Sequence, residues 1–223
     1  MRVPYYPRIN QRASSPFEIV HSDVWGPCPI ASTLGFRYFV SFVDDHSRGT
    51  FLYLMRHRSE LCSIFTSFHA EVKNQFNATI RCLRSDNGGE YFSNQLSAFL
   101  TQHGILHQSS CPDTPQQNGV AERKNRHLLE VTRAIMFHMK VPKQFWSEAV
   151  LTACYLINRT PSTVLQGKTP HSILFPNRCL FSLPPRVFGC VCYVRDTRPS
   201  ISKLDARALK CIFLGYSRTH KGY

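Results

Sequence analysis

Residues 17–55 hold three runs dense in aromatic and β-branched side chains, FEIVHSDVWG, FRYFVSFVDD and TFLYLM, separated only by short stretches rich in Gly, Pro and polar residues. A parallel return needs a crossover of a dozen or more residues, and these links are too short for one. The runs are therefore expected to form an antiparallel meander. The pattern then changes. Over 59–76 the apolar positions Leu61, Ile64, Phe65, Phe68 and Val72 recur at helical spacing, with Ser59 placed to cap them. TIRCLRSD predicts a fourth strand, NQLSAFLTQ a short helix that stops at Gly104, and ILHQSS a fifth strand. Strands that alternate with helices join a sheet in parallel, so the fold class is α/β with a mixed sheet: three antiparallel strands plus parallel additions, flanked by helices.

CPDTPQQNG, rich in Pro, Gln and Asn, predicts a mobile loop, followed by a helix over 119–138 with Ala121, Leu128 and Ile135 on one side. PKQFWSEAVLTACYLINRT predicts a second helix with a Pro in its first turn. From Leu180 the texture changes, and PPRVFGCVCYVR and ALKCIFLGYS read as two strands across a basic loop. The expected division is a basic lead-in over 1–12, a core over 13–179 and a small β appendage over 180–223. A chain of 223 residues with 43% hydrophobic content can bury one substantial core and still supply that appendage.

The formal charge of +13 suits a polyanionic partner such as nucleic acid or an acidic membrane surface. It is unevenly spread: residues 13–118 carry 7 basic and 9 acidic side chains, and residues 119–223 carry 17 and 5. Carboxylates are thus concentrated in the first half and positive surface in the second. Nine cysteines, an odd number with no C-x-x-C pair, argue against a disulfide framework and a zinc ribbon and point to a reducing compartment. Cys190 and Cys192, two apart in a strand, read as core thiols sharing a face. His103 and His107 are four apart, but Gly104 between them breaks a helix and disfavours a metal pair. No run approaches the roughly 18 apolar residues of a membrane span, and no signal peptide or other targeting signal is recognised. The expectation is a soluble intracellular protein with no membrane partner.

Within TPQQNGVAERKNR one carboxylate, Glu122, stands at the front of a helix otherwise rich in cations. Asn118 or Gly119 can cap this helix, and the macrodipole favours an acid in the first turn by about 0.3–1 kcal/mol. A second role comes from two distant acids: Asp23 on the first strand and Asp86 at the end of the fourth. If those strands are neighbours, a right-handed connection brings both acids to one end of the sheet. Glu122 follows Asp86 with 35 residues between them and can fold onto the same place. Three carboxylates there repel one another unless cations sit among them, and hard oxygen ligands suit Mg²⁺ or Mn²⁺. Asp23 as a strand-end acid and SDNGGEY as an Asx turn remain open as structural readings. Glu90 competes for the site but is better placed to serve the loop; Asp44 and Asp45 are expected to be solvated or to cap their turn.

HSDVWGP, SFVDDHSR, LRSDNGGEYFS, GILHQSSCPDTPQQNGVAERKNRHLLE, FWSEAVLTACYLINRTPS, RVFGCVCYV and LKCIFLGYS together resemble the integrase core of copia-type LTR retrotransposons, in the same order and over about residues 13–223. The resemblance implies a ribonuclease-H-like fold and an Asp, Asp, Glu triad on Asp23, Asp86 and Glu122 that catalyses and also binds two divalent ions, Mg²⁺ or Mn²⁺. It implies strand transfer, in which a DNA 3′-hydroxyl attacks a target phosphodiester, and end trimming in which water takes that role. Gln116, Gln117 and Asn118 resemble the loop that meets DNA, and Arg123, Lys124 and Arg126 resemble phosphate contacts, which position a duplex without reading its sequence. The tail from about Pro185 resembles part of an SH3-like β module, with 8 basic and 2 acidic residues from Arg186 onward.

The family's His and Cys zinc module has no counterpart here, so no zinc is expected in this chain, and the chain reads as a fragment of a polyprotein. The implied partners are the element's DNA ends, target DNA and, in the intact enzyme, further copies of the protein. The implied location is the nucleus, with the cytoplasm before import. Two other readings fit the same residues: a ribonuclease H that only hydrolyses strands, and a DNA-binding remnant or host-adapted module without chemistry. The Glu on a late helix after a 35-residue gap argues against the first.

Overall fold

The computed structural model describes residues 12–110, 118–198 and 205–216. Its centre is a five-stranded sheet in the order β3-β2-β1-β4-β5. Strands β1 (Ile19–Trp25), β2 (Tyr38–Asp44) and β3 (Thr50–Met55) are the antiparallel meander; β4 (Cys82–Ser85) and β5 (Leu106–Ser109) add in parallel beyond β1. The mixed sheet expected from the sequence is present. Every residue of β2 after Tyr38 is buried, because both faces of this strand are covered.

On one face lies α1 (Leu61–Phe76), which contributes Leu61, Phe65, Phe68 and Val72 to a core with Phe17, Val40, Phe42 and Leu83. Phe42 of β2 stacks on Phe68 with ring centroids 4.5 Å apart. Helix α2 (Asn94–Gln102) adds Leu96 and Leu100 to the same core. On the other face, α3 (Gly119–His138) and α4 (Trp146–Ile157) pack Leu128, Trp146, Val150, Cys154 and Ile157 against Phe39 and Leu52. Side chains alternate along each strand: Val20 and Val24 of β1 join the α1 core, while Trp25 packs with the α3 and α4 core.

Several local expectations change. Ser59 does not cap a helix, since it lies within a 3-10 turn over Arg58–Glu60 that precedes α1. Glu60 closes the capping box of that turn, its carboxylate accepting the His57 backbone N–H at 2.8 Å, and α1 itself has no side-chain cap. The cap of α2 is Ser93, whose hydroxyl accepts from the Leu96 N–H. Asp44 and Asp45 are buried rather than solvated, at 1% and 5% exposure. Asp44 caps its turn by accepting from the N–H and hydroxyl of Ser47, and it also accepts the Phe17 N–H at 2.7 Å. His103 stacks on Phe99, whereas the His107 ring lies 2.9 Å from the Ser85 hydroxyl, so the two imidazoles serve different elements.

A short helix α5 (Pro170–Leu174) follows, capped by Thr169, and then the ribbon β6 (Val191–Arg195) and β7 (Ala208–Ile212), an antiparallel pair outside the main sheet. In the ribbon Cys192 stands opposite Cys211, and Cys190, Cys192 and Cys211 are free, half-buried thiols rather than a closed core. The ribbon is seated on the helical layer: Phe188 and Phe213 are buried, and Tyr216 stacks on Tyr155 of α4 at 4.1 Å. Gly189, at φ +84, permits this contact; a Cβ there would lie 2.7 Å from Met139. Among the described residues no helix is long and apolar enough to cross a membrane.

Candidate active site

The parallel pairing of β1 with β4 places His21 opposite Arg84. Two residues further along this register Asp23 and Asp86 come side by side, the first still inside β1 and the second just past the end of β4. Helix α3 packs across β1 and β2 and carries Glu122, exposed, in its first turn. Thus the three acids, far apart in sequence, lie around one corner of the sheet, near enough for Asp86 and Glu122 both to act on the charge of Asp23.

Asp23 reports that proximity. Its carboxyl is pushed up to about 6, first by burial and then by the negative charge of Asp86. The hydrogen bond from Asn125 opposes the rise, and Glu122 adds to it. Burial and like charges both disfavour the ionised form of a carboxyl. The oxygen-only donor set fits a hard divalent ion, and the repulsion is the energy such an ion would relieve. As they stand, no three His, Cys, Asp or Glu side chains among the described residues are gathered into a ready-made ion cage.

Asn125 escaped the sequence reading. It is buried on α3, donates from Nδ2 to Asp23 Oδ2 at 2.9 Å and accepts the Ser41 hydroxyl on Oδ1 at 2.7 Å. Ser41 is the antiparallel partner of Asp23 across β1 and β2, so the bridge orients the carboxylate from two elements. The signal was present: Asn125 lies four residues after Ala121 and three before Leu128, on the buried stripe, where a polar side chain needs a partner.

The residues expected to meet DNA separate into different environments. Gln116 and Gln117 lie outside the described residues. Asn118 is a correction: it is 1% exposed and donates from Nδ2 to the Ser22 carbonyl of β1 at 3.1 Å, so it fastens the start of α3 rather than facing a ligand. It makes no side-chain cap either. Arg123 and Arg126 are exposed. The Arg123 guanidinium lies over Gly119, 2.8 Å from where a Cβ would be. Lys124 is half-buried, and burial lowers its pKa, with Cys154 opposing and Arg48 reinforcing that shift.

Glu90 is held elsewhere. Its carboxylate pairs with Arg58 at 2.6 Å, and Arg58 also donates to the Gly26 carbonyl. Next to it, Tyr91 is fully buried with its hydroxyl 2.6 Å from that of Ser22. Burial pushes the Tyr91 phenol well above its ordinary range, the Ser22 contact opposes this, and Asp23, Asp86 and Glu90 add to the rise. Tyr91 is therefore a neutral group beneath the acids. The turn before it is closed by Asp86, whose Oδ1 accepts the Gly88 N–H at 3.1 Å.

A mixed five-stranded sheet with acids at adjacent strand ends and a third on the covering helix defines a ribonuclease-H-like core. Residues 13–115 match the family model of the integrase core domain, and residues 190–223 match that of the retroviral polymerase SH3-like domain. The chain thus carries an integrase core domain followed by a retroviral SH3-like domain, and its relatives are Pol polyproteins of copia-type plant transposons. It is 41% identical over 214 residues to the retrovirus-related Pol polyprotein from transposon TNT 1-94 of Nicotiana tabacum, covering 96% of this chain and 16% of the relative. With the Pol polyprotein from transposon RE2 of Arabidopsis thaliana it shares 41% identity over 216 residues, covering 95% and 14%.

The chain thus spans about one sixth of the length of these curated relatives. Among solved structures, the HTLV-2 integrase catalytic core domain in complex with magnesium (trimeric form) superposes with a TM-score of 0.54 at 18% identity, over 73% of this chain and 99% of that one. The simian T-cell lymphotropic virus intasome in complex with the PP2A regulatory subunit B56 gamma gives 0.60 at 19%, over 91% and 69%. At such identities the likeness is one of fold.

Proposed function

We infer that this chain is the catalytic core of a DNA integrase, in which Asp23, Asp86 and Glu122 hold divalent cations over a phosphodiester and support strand transfer and end trimming. The observation that carries the reading is the adjacency of β1 and β4 beneath α3, which brings the strand acids Asp23 and Asp86 under the helix that bears Glu122; the raised carboxyl of Asp23 agrees with it. The magnesium named with the HTLV-2 core domain supports the same ligand chemistry. Bound Mg²⁺ or Mn²⁺ would activate the attacking oxygen and neutralise charge on the leaving one.

The chain's own residues supply position. Asn125 and Ser41 set the Asp23 carboxylate, the β1 and β4 pairing sets Asp86 beside it, and Asn118 fixes the start of the helix that carries Glu122. One phosphodiester is exchanged for another in strand transfer, so geometry and charge stabilisation carry the rate without a covalent enzyme intermediate. Arg123 and Arg126, exposed beside Glu122, are assigned to DNA phosphates, as are Gln116 and Gln117 of the preceding loop; Asn118 and Lys124 are not. The basic ribbon adds sequence-independent affinity. The intact protein would act in the nucleus, on element ends and target DNA, as an assembly of several copies; the trimeric and intasome forms named for its structural relatives support multimers.

Purified protein with Mn²⁺ and a pre-nicked branched DNA is expected to reverse strand joining, and Glu122→Gln is expected to abolish this while DNA binding persists. Equal activity in the variant would remove Glu122 from the mechanism. DNA binding without activity in the unmodified chain would leave a binding module in its place.

A further inference from the structure

The acid trio rests on three separate elements, and one residue that is not an acid, Ser22, reaches the segment after Asp86 through its hydroxyl and the start of the Glu122 helix through its backbone carbonyl. Ser22 is fully buried in β1 and immediately precedes Asp23. Its hydroxyl lies 2.6 Å from that of Tyr91, five residues beyond Asp86. Tyr91 in turn donates its backbone N–H to the Gly88 carbonyl, and Gly88 donates its own N–H to the Asp86 carboxylate. From the same residue, the Ser22 carbonyl accepts Asn118 Nδ2 at 3.1 Å, four residues before Glu122. The chain of contacts therefore runs from Ser22, beside Asp23, to the Asp86 carboxylate on one side and to the start of the helix that carries Glu122 on the other.

We propose that Ser22 is the node that sets the spacing of the three acids, with Tyr91 as the strut that holds the Asp86 turn to it. Neither residue touches a reacting atom; both are positioning residues, and the assignment rests on the reading of the trio as a cation site. A phenol and a serine hydroxyl buried together can satisfy each other only at one separation, because hydrogen bonds weaken steeply with distance and angle. Groups that orient metal ligands from behind commonly change metal affinity by about 10-fold to 100-fold when removed.

The test is Mn²⁺ affinity, measured by calorimetry without DNA, in Tyr91→Phe, Ser22→Ala, the double variant and Asp23→Asn. Thermal unfolding of each metal-free protein is followed alongside. Tyr91→Phe and Ser22→Ala are each expected to weaken Mn²⁺ binding about tenfold, and the double variant no more than either single one, because both remove the same contact. Unchanged Mn²⁺ affinity in both single variants, with a lowered Tm, would make the pair a packing contact only and overturn the proposal. Losses that multiply in the double variant would overturn it too, since Tyr91 would then act other than through Ser22. Undiminished binding in Asp23→Asn would instead refute the cation-site reading itself, a failure distinct from that of the node.

Discussion

Two corners of this sheet bury aspartates a short distance apart, and they treat them in opposite ways. At the turn after β2, Asp45 accepts the Ala13 N–H and faces His21 and Arg48 at 3.0 and 3.1 Å, while Asp44 is filled by Ser47 and Phe17 donors. Burial alone would raise Asp45, but the His21 bond, the Ala13 N–H and the Arg48 charge outweigh it and hold the carboxyl well below the usual range. At the ends of β1 and β4, Asp23 has a side-chain donor in Asn125 and two acids for neighbours, and it is pushed up to about 6. A buried carboxylate whose oxygens are satisfied is structure. One raised by burial and by neighbouring acids is a candidate for function instead.

That contrast breaks most visibly under truncation. Asp44→Ala leaves several buried donors without an acceptor and is expected to destabilise the fold by about 3–5 kcal/mol, whereas Asp23→Asn should leave metal-free stability at neutral pH unchanged or raised. Urea unfolding of the two variants would refute the contrast if both lost stability equally.

The pH profile sharpens it. The folded-state pKa of Asp23 lies above its ordinary value of 3.8, so the folded form binds the proton more tightly. Its contribution to metal-free stability is complete below about pH 4 and is lost as pH rises through about 6, by about 3 kcal/mol in all. Asp45 has the opposite sign: its contribution is present above that ordinary value and disappears only as pH falls through its lowered folded pKa. Between pH 4 and 7 the stability difference between the unmodified protein and Asp23→Asn should therefore drift steadily toward the variant. A flat difference would mean that neither burial nor the neighbouring acids raise the Asp23 carboxyl.

The smallest effect concerns the cations of α3. Arg126→Ala should reduce the slope of log affinity against log salt for DNA by about 1, and Lys124→Met should leave it alone. A fluorescence-anisotropy titration over a range of salt concentrations separates the two, and an equal change in both would return Lys124 to the DNA face.

Much of the frame was legible because it depends on local pattern. TFLYLM and NQLSAFLTQ form β3 and α2 over the same residues that periodicity marks, and Gly104, at φ +64, ends α2 where it was expected. The convergence of acids needed one assumption, that the first and fourth strands are neighbours, and the sheet supplies it. What sequence could not supply was direction across elements. Lys124 looks like its neighbours Arg123 and Arg126 until α4 and the β2–β3 turn place Cys154 and Arg48 beside it. Asn118 looks like loop until Ser22 is found beneath it. Asp44 and Asp45 look solvated in DDHSRG because their donors come partly from residues 13–21, which turn back over them.

Strand pairing has a lasting consequence for the trio. The interval between Asp23 and Asp86 follows from the β1–β4 ladder that ends two residues before them, with adjacent strands about 4.8 Å apart, so core substitutions that loosen packing disturb it little. Glu122 has no such guarantee, for its distance depends on how α3 leans and on the side chains that tether it. As substitutions accumulate, the acid on the helix should therefore shift first, while Asp23 and Asp86 keep their separation.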